Sequence, residues 1–158
     1  MILVLLGTQD RQFNRLINEV VNLKKKGIIK DRIIIQKGVS IFEDKKIESF
    51  DFAPKEKIEE LIDNAKLIIT HAGVGTIIDC LNKDKKVIVV PRLKKYSEHT
   101  NDHQLQITKE FADKNYIIPV YEINKLRQAI EKAKSFKPEK YESNTNNFIQ
   151  MIKEFIEE

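Results

Sequence analysis

Residues 70–79 read Thr-His-Ala-Gly-Val-Gly-Thr-Ile-Ile-Asp, a spacing suited to holding an anion. Gly73 and Gly75 remove side chains where backbone must come close to a ligand. Lys66-Leu-Ile-Ile-Thr70 reads as a buried strand, and a helix is expected to open at Thr76. The first N–H groups of a helix lack intrahelical acceptors, and its dipole favours negative charge by roughly 0.3–2 kcal/mol. Thr76 adds a hydroxyl donor. Asp79 follows at i+3, so it can face the same site and accept bonds from two ribose hydroxyls. The run is not a P-loop, since no Gly-Lys-Ser/Thr follows, nor a full Gly-x-Gly-x-x-Gly, since residue 78 is Ile. A tight strand-to-helix turn without a ligand would use the same glycines.

A second polar constellation lies between Pro91 and Gln104. It holds Arg92, Lys94, Lys95, Glu98, His99, Asn101, Asp102, His103 and Gln104. Long loops at the carboxyl edge of a sheet commonly carry function. Planar amides and carboxylates suit sugar hydroxyls, and Arg92 or a lysine would neutralise diphosphate charge. The same basic residues also suit a solvated loop. His99 and His103 are one helical turn apart, but no further His or Cys cluster accompanies them, so no metal is expected. Gly7-Thr8 follows the first apolar run and marks a turn or a cleft edge. In Phe50-Asp-Phe-Ala-Pro54, Phe52 would wall a base pocket or pack in the core. Cys80, the only cysteine, reads as a small core residue.

Short Ile- and Val-rich runs alternate with helical patterns and would position these loops. The runs are Ile2–Leu6, Arg32–Gln36, Lys66–Thr70, Lys86–Val90 and Tyr116–Val120, with a weaker one at Lys46–Phe52. Helices are expected over 13–23, 58–65, 76–81, 103–114 and 124–134. The alternation implies an α/β fold, a Rossmann-like parallel sheet with helices on both faces. Residues 135–147 read as a connector. Phe148, Met151, Ile152, Phe155 and Ile156 then form an apolar stripe, making 142–158 a C-terminal amphipathic helix.

The whole chain, 1–158, fits one domain. A net charge of +4 is too small to argue for nucleic acid, but it suits an anionic membrane surface or a diphosphate. One cysteine fits a reducing cytosol. Six apolar residues at the N-terminus are too few for a signal peptide, and no 18-residue apolar span occurs.

Together, Gly7-Thr8, Phe50–Pro54, residues 71–79, Val89-Val-Pro-Arg92 and Glu98-His-Thr-Asn-Asp-His-Gln104 resemble the glycosyltransferase family 28 C-terminal domain. The resemblance extends to the stand-alone small subunits of bacterial exopolysaccharide and capsule galactosyltransferases (PssE-like). The resemblance implies the donor-binding half of a GT-B fold, with a UDP-sugar as donor and no cofactor. By position, Gly73, Val74, Gly75 and Thr76 would hold the diphosphate. Asp79 stands in the place of a ribose-binding carboxylate, usually Glu. His103 and Gln104 would reach the donor sugar, Phe52 or its neighbours would line the uracil site, and Gly7 and Thr8 would lie beside the acceptor.

A complete family member also has an acceptor-binding domain. The resemblance therefore implies a separate PssD-like, membrane-associated subunit, a polyprenyl-diphosphate-linked sugar acceptor, and a place at the cytoplasmic face of the membrane. The expected reaction is inverting sugar transfer in exopolysaccharide or capsule synthesis. It needs a general base near the acceptor hydroxyl, for which His99, Glu98 or a partner residue are candidates. His71 is read as an orienting residue. The alternatives are a non-catalytic nucleotide-sugar-binding subunit and a UDP-sugar epimerase-like half-domain.

Overall fold

Six strands and five helices lie along residues 1–142 of the computed structural model, which also describes Gln150, Lys153 and Glu154. The strands are β1 (Ile2–Leu5), β2 (Ile33–Gln36), β3 (Glu48–Phe50), β4 (Leu67–Thr70), β5 (Val87–Val89) and β6 (Ile118–Pro119). The helices are α1 (Asn14–Lys25), α2 (Lys55–Asn64), α3 (Val74–Asn82), α4 (His103–Asp113) and α5 (Leu126–Ala133). All strands pair in parallel, in the order β3-β2-β1-β4-β5-β6. This is the Rossmann-like sheet expected from the sequence. The apolar stripe of residues 148–156 lies outside the described residues.

The alternating side chains of β1 show how the layers form. Ile2 and Val4 enter one apolar layer with Leu16, Ile17 and Val20 of α1 and Leu126 and Ile130 of α5. Leu3 and Leu5 enter the other, with Leu61 and Ile62 of α2, Ile77 and Cys80 of α3, and Ile107 and Phe111 of α4. Each strand of β1, β2, β4 and β5 is therefore buried throughout. Full burial of one such aliphatic side chain is worth about 1.5–3 kcal/mol. Cys80 is completely buried, and burial pushes its thiol up to about 12.

The elements depart from the sequence expectation at their ends. Helix α3 starts two residues before Thr76, with Gly73 as its N-cap, so Gly75 and Thr76 lie in its first turn. Strand β6 is only two residues long, because Pro119 has no N–H to donate. A short 3-10 turn, Ile123–Lys125, precedes α5 where one continuous helix was expected. Helix α1 ends at Gly27, whose φ of 75° permits the left-handed turn. There Gly27 N–H donates to Leu23's neighbour Lys24 O and Ile28 N–H to Leu23 O. No helix joins β2 to β3; residues 37–47 cross over as a loop.

The strand order reverses between β1 and β4, whose ends are paired as Leu5 with Thr70. Open parallel sheets bind ligands at such a reversal, outside the carboxyl ends of the strands. The Gly7 turn leaves β1 there, and the 71–73 turn leaves β4 beside it.

Candidate functional site

His71 is the centre of this crevice. Its ring is buried and lies across two glycine backbones. A Cβ added to either Gly7 or Gly73 would come under 3.0 Å from its Nε2 and Cε1 atoms. Gly7 is further required by its φ of 81°. The sequence motif thus uses Gly73 and Gly7 to admit a side chain of the protein itself. Gly75 is different: nothing lies within 4 Å of a Cβ placed there, and the residue is exposed at the first turn of α3.

Gln104 sets the proton on His71. Its Oε1 accepts the Ala72 N–H at 3.1 Å and the Arg92 N–H at 2.9 Å. Two donors on one oxygen fix the amide's orientation, so Nε2 faces His71 Nδ1 at 3.2 Å and donates to it. The imidazole proton then sits on His71 Nε2. Burial above all, and then the positive charge of Arg92, hold the His71 pKa down at about 3, so the ring is neutral at pH 7. His71 borders both lobes of the crevice, and its ring is neutral.

One lobe, about 350 Å³, is lined by Gly7, Thr8, Gln36, Phe52, Gly75 and Thr76 among others. The second, about 360 Å³, is lined by His99, Thr100, Asn101, His103 and Gln104. Gln9, His71 and Gly73 border both. Between them the N–H groups of Val74, Gly75 and Thr76 belong to the first turn of α3 and have no acceptor within the helix. Gln36 and Gln9 were not singled out in the sequence. Gln36 accepts the Gly7 N–H and donates to Gly7 O, fixing the turn after β1. Its signal was a lone polar residue ending the apolar run 33–35 at the carboxyl side.

Five expected site residues depart from the roles expected of them. Arg92 does not face a ligand: it is 1% exposed, and its guanidinium donates to the carbonyls of Leu6, Arg11, Gln12 and Glu98. Glu98 is no general base in this arrangement. It is fully buried, its oxygens accept from Arg15 at 3.0 Å each, and Oε1 also takes the Leu93 N–H. His99 is partly buried, and burial first, then Arg92, Arg11 and His103, lowers its pKa. Its Nδ1 accepts the Thr100 and Asn101 N–H groups, which leaves the neutral ring's proton on Nε2. In this arrangement the ring's lone pair faces the backbone and its Nε2–H is the free donor. Gln104 has three of its four hydrogen-bonding positions committed to the protein, leaving one amide N–H for a sugar. Asp79 is exposed one turn beyond Thr76 and lines neither lobe.

The His71 environment has a pH signature. Free histidine titrates near 6.5 and this one near 3, so between those values the unfolded chain binds more protons. The stability this provides is complete above pH 6.5 and falls as the pH drops towards 3. Replacing His71 by Asn should flatten the stability–pH slope between pH 6.5 and 5 by roughly 1 kcal/mol per unit, read by urea unfolding. Parallel slopes in the two proteins would contradict the buried neutral ring.

Comparisons with known proteins agree with this geometry. A sequence model described as the glycosyltransferase family 28 C-terminal domain matches residues 1–158. The UDP-N-acetylglucosamine transferase subunit ALG13 of Candida albicans is 34% identical over 112 residues, covering 71% of this chain and 36% of that protein. The human protein of the same name is 32% identical over 92 residues, 55% of this chain and 8% of that one. The matched region is thus no more than 36% of the length of either relative. An NMR solution structure of ALG13 aligns with a TM-score of 0.60 at 20% identity, covering 96% of this chain and 93% of that one. The glycotransferase of kitacinnamycin aligns at 0.63 with 14% identity, over 99% of this chain and 39% of that enzyme. At such identities these structures show the fold, that of one half of a GT-B glycosyltransferase.

Proposed function

Because the chain belongs to the glycosyltransferase family 28 C-terminal domain family, we propose that the crevice binds a UDP-sugar and serves as the donor half of a transferase site. One observation carries this: neutral His71, with its proton fixed on Nε2, stands beside the open first turn of α3. Both features donate to anionic oxygen without a metal. UDP leaves as the bond from its β-phosphate oxygen to the sugar C1 breaks. Donors already aimed at that oxygen favour the transition state more than the ground state.

The acceptor hydroxyl must lose its proton as it attacks C1. His99 donates from Nε2, and Glu98 is closed off by Arg15. This supports a base supplied from the acceptor side, by a second, membrane-associated subunit of the PssD-like kind. The acceptor would be a sugar on a polyprenyl diphosphate at the cytoplasmic membrane face. No helix among the described residues is long and apolar enough to cross a membrane. The ALG13 relatives are subunits of a UDP-N-acetylglucosamine transferase, so that donor is the first to test. The exopolysaccharide or capsule role draws no support from those names.

Isothermal titration should show UDP binding in the micromolar to millimolar range, with uridine binding at least tenfold weaker. Gly75→Val should weaken UDP by tenfold or more; equal affinity in wild type and variant would refute the loop assignment. Transfer from radiolabelled UDP-N-acetylglucosamine to membrane lipid should appear only with membranes added. The occupied Nδ1 lone pair of His99 also favours a second reading, a nucleotide-sugar-binding subunit with no turnover of its own. UDP binding with no transfer under any membrane condition would select it.

A further inference from the structure

A hollow of about 490 Å³ opens at the amino end of the sheet, opposite the crevice and larger than either of its lobes. Its floor is apolar: Ile2 of β1, Leu67 of β4, Ile28 and Ile29 beyond α1, and Ile130 and Ala133 of α5. Helices α1 and α5 cover the same face of the sheet, but α5 stops at Ala133, whose single methyl leaves the space beside β1 and β4 unfilled. Ile2 lies about 10 Å along the strand from Leu5, which borders the crevice, so the two spaces are separate. The wall beyond α1 is pinned. Lys24 Nζ donates to Asp31 O at 2.7 Å and to Lys30 O at 3.3 Å, and the Ile28 and Ile29 N–H groups both donate to Leu23 O.

The rim is basic. Lys30, Lys66, Lys86 and Lys134 line it, against the two acids Asp31 and Glu131. Both acids are already paired, Asp31 with Lys66 and Glu131 with Lys134. Neither Lys30 nor Lys86 has a carboxylate partner among the described residues. Lys86 Nζ donates instead to Ala133 O at 2.7 Å and Lys134 O at 3.5 Å, acceptors that carry no full charge. Two positive charges therefore stand uncompensated beside an apolar floor.

We propose that this hollow is a binding site for an aliphatic carboxylate, its chain laid on the floor and its head paired with Lys30 and Lys86. The volume falls in the range of small-molecule sites. The floor offers no polar group to a sugar or an inorganic anion, but it rewards each methylene that leaves water. The unpaired ammonium groups select a negative head, because a charge-assisted hydrogen bond to a carboxylate is stronger than one to a neutral group. Ile2, Ile29, Leu67, Ile130 and Ala133 are each less than a tenth exposed. This apolar surface is recessed, so a single free chain reaches it and a bilayer surface does not. The site is independent of the reading of the crevice.

Isothermal titration of the full chain with sodium decanoate, kept below micelle formation, should show saturable binding of one molecule per chain. Butanoate lacks the chain, and decyltrimethylammonium carries the same chain with the opposite charge; each should bind at least tenfold more weakly. Lys30→Glu changes an exposed side chain and should weaken decanoate at least fivefold, with the melting temperature of the wild type. Ala133→Leu fills the floor and should abolish binding; if that variant does not fold, Lys30→Glu decides alone. The absence of saturable decanoate binding, or equal affinity in wild type and Lys30→Glu, would overturn the assignment. Equal binding of decyltrimethylammonium would overturn it as well, by removing the role of the lysines. So would binding to phosphatidylglycerol vesicles without binding of free decanoate, which would put a membrane surface in place of the hollow. A chain that binds decanoate but no UDP would uphold this site while removing the donor reading of the crevice.

Discussion

Replacing Arg92 by Met should cost the protein about 3–5 kcal/mol, the scale of breaking a buried, hydrogen-bonded charge. For a domain of this size that lowers the melting temperature by roughly 6–20 °C. The reason is the number of chain segments that meet on one guanidinium. Arg92 Nη1 donates to Arg11 O, Gln12 O and Glu98 O, and Nη2 to Leu6 O at 2.6 Å. Its Cζ also lies 5.0 Å from the centre of the Phe13 ring. Without it, these buried carbonyls lose their donor. The loops after β1 and β5 lose the tie that sets their separation. Arg92→Lys should recover only part of the loss, because a compact ammonium with three donors cannot span the four carbonyls that the guanidinium reaches. A diphosphate-binding arginine would behave the other way. Were Arg92→Met to melt within about 2 °C of wild type yet fail to bind UDP, the structural assignment would be wrong.

The second large effect is expected at Gly73. Its φ of −80° is ordinary, so Gly73→Ala brings no backbone strain. All its cost comes from the collision of the new Cβ with the His71 ring. Overpacking of this kind typically costs 1–3 kcal/mol. The displaced ring should also lose the Gln104 bond that fixes its tautomer, lowering UDP affinity at least tenfold. A double-mutant cycle isolates the cause. In a His71→Ala background, Gly73→Ala should cost less than about 0.5 kcal/mol, because nothing is left to strike. An undiminished cost in that background would place the clash elsewhere. Gly75→Ala gives the contrast, since its open space predicts little change in stability or a gain of up to about 1 kcal/mol.

The two glycines show where a sequence is legible and where it is not. Strands β1, β2, β4 and β5 were readable because burial on both faces demands uninterrupted apolar runs. The 71–79 turn was readable because two closely spaced glycines follow a buried apolar run and precede a helical pattern. Which glycine admits a ligand and which admits His71 depends on how β1 and β4 lie together, and spacing does not carry that. The 91–104 loop was harder for the same reason. Arg92, Glu98 and Gln104 have the residue types of a sugar site. Their burial comes from partners far away in the chain, such as Arg15, 83 positions before Glu98. Local polarity marks a loop as chemical without separating groups that bind a ligand from groups that hold the loop.

Cys80 gives this domain a built-in clock. Its thiol is wholly enclosed and kept protonated, and thiolate is the form that reacts with alkylating agents. It lies on α3, the helix whose first turn forms part of the crevice. Modification at this single position therefore waits for α3 to come away from the sheet, so its rate counts those excursions. A ligand seated on that first turn must slow the count by the factor 1 + [L]/Kd if it binds only the closed form. One native sulfur thus reports occupancy of the crevice in a protein with no tryptophan to serve as an optical probe.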